Sequence, residues 1–173
     1  MKKQLDTNHV EIPSFLKRVN YFYGQLLSQA DFFAEQAYTI KRSRLHNLHI
    51  HGYGVVSGLD VSASKGPANA LMVKPGLAID PAGNEIILPA VVKVPFPRKG
   101  DLAHLVLYWA ERETDFIPAP EGSAASRIEE YAILKFETGD SAAKTNGVLL
   151  AQLKRLRGVW KVDKKFRVRR VKK

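Results

Sequence analysis

From Gln29 to Asn47 the chain contains neither glycine nor proline, whereas both punctuate nearly everything after it. That contrast restricts the fold to one helix carried on a body of strands. Ser28 stands where a helix N-cap is needed, and its hydroxyl can accept a hydrogen bond from an unpaired backbone N–H. Asp31, three residues on, complements the positive end of the helix dipole. Asp is shorter than the usual Glu or Gln, so this is an abbreviated capping box. Phe33, Ala37, Ile40 and Arg44 recur at spacings of four and three. Phe32, Gln36 and Thr39 lie beside them, and Leu45 and Leu48 extend the apolar side, as in a one-faced helix. Lys41, Arg42 and Arg44 gather at the end where cations are favoured. The spacing predicts a helix over about 28–47.

The flanks change character. Before the helix, Val19 to Gly24 is an aromatic extended segment, expected to pack against the helix or a neighbouring subunit. After it, Gly52, Gly54 and Gly58 mark a tight exit turn into a strand through Val55, Val56, Leu59 and Val61. Ala70 to Lys74 reads as a short strand ended by Pro75-Gly76. Asp80-Pro81-Ala82-Gly83 has turn chemistry between Leu77-Ile79 and Glu85-Leu88, so a hairpin is expected there. Val91 to Phe96 is extended, and Pro89, Pro95 and Pro97 keep it off a central position in a sheet. Leu102 to Ala110 is an almost continuous apolar run of core-strand length. Residues 111–127, with Pro118, Pro120 and Gly122, read as a long loop, followed by a strand over Tyr131 to Phe136. Residues 138–146 form another loop, then come strands over Val148 to Leu156 and Phe166 to Val171.

The sum is a mainly β domain, sandwich or barrel-like, of short antiparallel strands with one N-terminal α-helix. Residues 1–13 read as an arm and 14–173 as a single domain, with a basic C-terminal strand at 154–173.

Charge is more informative than hydropathy. Lys and Arg exceed Asp and Glu by ten, and the whole excess lies in Lys154 to Lys173, where eleven cations face one acid, Asp163. Cysteine is absent, which removes disulfides and thiolate metal sites. No apolar run reaches the length of a membrane helix, and the first residues lack the apolar core of a signal peptide, so no membrane insertion is expected. The basic segment alternates with Leu153, Leu156, Val159, Val162, Val168 and Val171, the pattern of a strand with one solvated face. Two partners fit it. One is nucleic acid, held through Lys154, Arg155, Arg157, Arg167, Arg169 and Arg170 with Trp160 and Phe166 stacking on bases. The other is an acidic patch on a neighbouring subunit.

Sites for chemistry are harder to find. His46, His49 and His51 cluster after the helix, and two such rings per chain could meet a metal on a three-fold axis, but no carboxylate or Cys completes a site within one chain. The simpler reading is that they fill a turn. Asp80 with Glu85, and Glu129 with Glu130, are carboxylate pairs without signs of convergence. Gly52-x-Gly54-x-x-x-Gly58 has the wrong spacing for a dinucleotide loop and precedes a strand. No catalytic, cofactor or metal residue is therefore assigned, and no enzyme is expected. The candidates left are interaction residues: Tyr21, Phe22, Tyr23, Phe32 and Phe33, with the basic set and Trp160.

The stretch YFYGQLL (21–27), DF (31–32), EQAY (35–38), RSRLHN (42–47) and HGYGVVSGLDV (51–61) resembles a signature of proteins encoded beside phage-tail-like contractile injection systems. That pattern commonly has an acid where Tyr23 stands and Cys where Ser57 stands. It shares His46 and His51 but not His49. PGLAIDPAGNEIIL (75–88) is similar to a segment of tail, baseplate and fibre proteins, and GVLLAQLKR (147–155) with GVWKVD (158–163) is similar to the closing strands of such domains. The resemblance implies a structural particle component with no catalytic residues and no cofactor. It would assemble in the cytoplasm, with other particle subunits and further copies of itself as partners.

Overall fold

The computed structural model describes residues 16–64, 70–138 and 145–172. The expected arm at 1–13 lies outside them. The chain divides into two compact units, up to Arg42 and from Ser43 onward. Among the described residues there is one α-helix, α1 (Gln29–His46), continued by a π-helical turn over Asn47–His51. Ten strands follow among the described residues, in three antiparallel sheets.

The first six strands form a folded meander. In one sheet β1 (Gly54–Gly58), β4 (Gly76–Ile79) and β5 (Glu85–Leu88) lie in the order β1-β4-β5. In another, β2 (Val61–Ala63), β3 (Ala70–Val73) and β6 (Val92–Pro95) lie in the order β2-β3-β6. The chain passes between these sheets at Leu59-Asp60, at Lys74-Pro75 and at 89–91. Such corners need backbone that ordinary strand residues resist. Gly58 (φ +60°) and Gly76 are register partners there, and a Cβ on Gly58 would sit on the Pro75 carbonyl. Leu59 also has positive φ. A register shift between Val55 and Ser57 adds the extra twist a bulge supplies. The single strand expected over Val55 to Val61 is thus two strands in two sheets. β6 lies at a sheet edge, as its prolines require.

The third sheet has the order β10-β9-β7-β8. β7 (Leu102–Ala119) and β8 (Gly122–Glu137) are far longer than the strands expected, and β9 (Val148–Leu156) and β10 (Val159–Val162) complete the sheet. Residues 111–127 are therefore not a loop. They form the outer half of a β7–β8 hairpin paired as far as Ala119↔Gly122. Phe166 to Val171 is not a ladder strand either; its β-pairing is one isolated parallel bridge, Val55↔Arg170.

The core joins all three sheets. Leu71, Val73, Ile86 and Leu88 alternate inward from the meander, and Ala103, Leu105, Leu107, Leu150 and Leu153 face them from the third sheet. Burying one Leu or Val of this set contributes about 1.5–3 kcal/mol.

Candidate interaction surfaces

The unit up to Arg42 presents its aromatics outward. Gln25 N–H donates to the Phe22 carbonyl at 3.2 Å, and Gly24 takes a positive φ of 81°, so residues 22–25 form a tight turn. Tyr21, Phe22, Tyr23 and Leu26 around it are exposed. The helix start is capped reciprocally. Ser28 Oγ and N–H both donate to Asp31 Oδ2, at 2.7 and 2.8 Å, and Asp31 N–H reaches back to Ser28 Oγ at 3.4 Å. The hydroxyl and then the N–H of Ser28 hold the Asp31 carboxyl below its ordinary range. The expected apolar stripe does not pack among the described residues: Phe32, Phe33 and Ile40 are exposed. Instead Asp31, Ala34, Ala37, Tyr38 and Lys41 line an open groove of about 570 Å³ with residues 16–20.

In the second unit, the helix exit is fixed by a buried amide. Asn47 Nδ2 donates to the Gly83 carbonyl at 2.9 Å and to Glu85 Oε1 at 3.2 Å. Gly83 (φ +90°) lies so near the last helical turn that a Cβ would come 2.6 Å from the Arg44 carbonyl. The Arg44 guanidinium covers the Trp109 ring at 5.3 Å. His46 ends α1, and His49 and His51 lie in the π-turn. His46 and His51 meet edge to face at 5.3 Å, and His49 is exposed. Among the described residues no three His, Cys, Asp or Glu side chains gather with metal-ligand geometry.

The basic segment is not one strand over 154–173. It is the end of β9, a tight hairpin, β10 and an extended tail. Arg157 and Gly158 both have positive φ, as a type I′ turn between Leu156 and Val159 requires. Lys154 and Asp163 form an ion pair at 2.7 Å, which with the Lys165 N–H holds the Asp163 carboxyl below its ordinary range. The tail then runs beside β1. Val55 N–H donates to the Arg169 carbonyl at 2.9 Å, Val171 N–H to the Val55 carbonyl at 3.2 Å, and Lys172 N–H to the His51 carbonyl at 3.0 Å. The Arg169 guanidinium stacks 3.6 Å above the Tyr53 ring. Lys154, Arg155, Arg157, Arg167, Arg169 and Arg170 are all exposed.

Trp160 departs from expectation. It is only 7% exposed, and its indole N–H donates to the Pro97 carbonyl at 2.8 Å, so it is a core residue and offers no face to a base. Phe166 is half-buried against His104, with ring centroids 6.1 Å apart.

Sequence reasoning missed the outer β7–β8 ribbon. Phe116, Ile117 and Ile128 on it are exposed, and Arg112 holds Glu129 at 2.7 Å. That contact keeps the Glu129 carboxyl below its ordinary range. The available signal was Ala119-Pro120-Glu121-Gly122, which places Pro and Gly where a hairpin turn uses them.

No family model matches the chain, and no curated protein resembles it in sequence. Its fold does resemble solved structures. One is a chain of "the type VI secretion system TssK-TssF-TssG baseplate subcomplex", with TM-score 0.53 and 18% identity over 88% of this chain. Another belongs to "the baseplate complex from the type VI secretion system", with TM-score 0.51, 18% identity and 88% of this chain covered. A third is the crystal structure of TssK, with TM-score 0.54 and 14% identity over 85% of this chain. This chain spans 62%, 59% and 40% of those chains, respectively. Among the described residues no helix is long and apolar enough to cross a membrane. At such identities the likeness is one of fold alone.

Proposed function

We propose that this protein is a non-enzymatic structural subunit of a phage-tail-like contractile particle, in a baseplate, fibre or adaptor position. It acts by packing against other subunits. The observation that carries this reading is the shared fold with chains of type VI secretion baseplate complexes over 88% of its length. The motif resemblance at Tyr21 to Val61 points the same way. So does the exposure of Tyr21, Phe22, Tyr23, Phe32 and Phe33, which leaves large aromatic area for a partner to cover.

Copurification tests it. A tagged chain is expected to travel with intact contractile particles, and Tyr21→Ala with Phe22→Ala and Tyr23→Ala is expected to lose that association while melting at the same temperature. A chain absent from purified particles overturns the reading.

The alternative, a nucleic-acid-binding domain using the basic segment, is weakened by the burial of Trp160 and the half-burial of Phe166. Filter retention of DNA and RNA across salt, with and without Arg167→Glu and Arg170→Glu, separates the two. Retention that falls steeply with salt and disappears in the variant supports the alternative.

A further inference from the structure

The second unit is electrically bipolar along one strand direction. Residues 111–130, the outer β7–β8 ribbon, hold six carboxylates against two arginines. Among the described residues only Glu129 of these carboxylates is in an ion pair, with Arg112. β7 pairs with β9 only over Leu102 to Leu107, and the ribbon departs beyond its root, where Glu130 still lines a cleft with Glu85 to Ile87 of β5. A two-stranded ribbon alone is marginal in water. This one carries Phe116, Ile117 and Ile128 at 61%, 53% and 59% exposure.

The opposite pole is basic. β9 runs antiparallel to β7, with Val148 beside Leu107 and Lys154 beside Leu102. The β9–β10 hairpin therefore lies at the end of the sheet away from the ribbon tip. It carries Arg155, Arg157 and Lys161 around Leu156 and Val159, which are register partners and each 54% exposed. From Leu102 to Ala119 an extended strand covers on the order of 50 Å. Within one chain the two poles cannot meet.

We propose that the ribbon of one copy docks on the β9–β10 hairpin end of a second copy, in a head-to-tail contact. Each pole joins apolar side chains to a net charge, and the two net charges are opposite in sign. Such a contact is heterologous, so it closes into a ring or continues as a filament. The inference rests on the building-block reading for its purpose, since a repeating particle needs repeating contacts.

Charge reversal of the full-length chain tests it. One variant carries Glu111→Lys, Glu113→Lys and Glu130→Lys; the other carries Arg155→Glu, Arg157→Glu and Lys161→Glu. Sedimentation velocity across a concentration series at low salt reads self-association, and circular dichroism confirms that each variant is folded. The wild type is expected to associate and to weaken with salt. Each variant alone should associate at least about tenfold more weakly, and the equimolar mixture should regain wild-type association, because each reversed pole then meets its complement. A second, uncharged probe is Phe116→Ser with Ile117→Ser, expected to weaken association without reversing sign. A wild type monomeric throughout, or a mixture that stays dissociated, overturns the contact. Rescue in the mixture by a chain absent from purified particles leaves the contact standing and removes the particle role. Copurification without rescue does the reverse.

Discussion

Asn47 and Asp80 are the two buried polar side chains among the described residues, and both serve the β4–β5 turn. Asp80 Oδ1 accepts from Ala82 N–H at 2.8 Å and Asn84 N–H at 2.9 Å, while Oδ2 accepts from Asn84 Nδ2 at 2.8 Å. Asn47 holds the carbonyl at the far side of the same turn. Replacing either by Ala leaves buried groups unpaired, at a cost of about 1–3 kcal/mol. Urea denaturation of Asn47→Ala, Asp80→Ala and the double variant is expected to show non-additive losses, because the two share one turn. His104 offers a pH test. Its Nε2 meets Gln152 Nε2 at 2.8 Å, and burial lowers its pKa from the ordinary 6.5. A lowered His value stabilises the fold fully above the ordinary value, and the contribution fades as pH falls through it toward the folded value. The urea midpoint is expected to drop as pH falls below the ordinary histidine value, and His104→Gln should flatten part of that slope.

At the scale of elements, the capping of α1 follows the same sign. Asp31 is held low, so the cap is intact above the ordinary carboxylate range and opens as pH falls through the lowered value. Amide exchange at Ser28 and Asp31 should quicken there before the core responds. Trp160→Ala removes a core ring and is expected to cost about 3–5 kcal/mol, read by chemical denaturation. Such local rules explain what was legible in the sequence. The helix, its cap, the Asp80 turn, the core run at Leu102 and the edge position of β6 all follow from short-range chemistry. The ribbon was not legible, because Pro118 suggested a breaker while it pairs with Ser123 next to the hairpin tip, where a strand tolerates it. Trp160 was misplaced because alternation marks two faces without saying which is inward. The helix stripe misled for a related reason: Phe32, Phe33 and Ile40 form an apolar face that is exposed within this chain.

Across the whole molecule, the excess of ten positive charges hides a division of labour. The basic pole and tail lie in the last twenty residues, the acidic ribbon in the middle of the chain, and the aromatic turn near its start. The three proposed contact surfaces, the aromatic turn in the first unit and the ribbon and basic pole in the second, would suit a subunit that meets more than one partner. The bond between Val55 and Arg169 has a consequence in time. A ribosome releases the outer edge of β1 long before it makes the residues that will cover it, an interval of roughly ten seconds at ordinary elongation rates. During that interval the nascent chain carries an open edge that the tail of an older, finished copy can occupy as readily as its own. High expression is therefore expected to yield some dimers with exchanged tails, recognisable because they separate only when unfolded and re-form as monomers on dilute refolding.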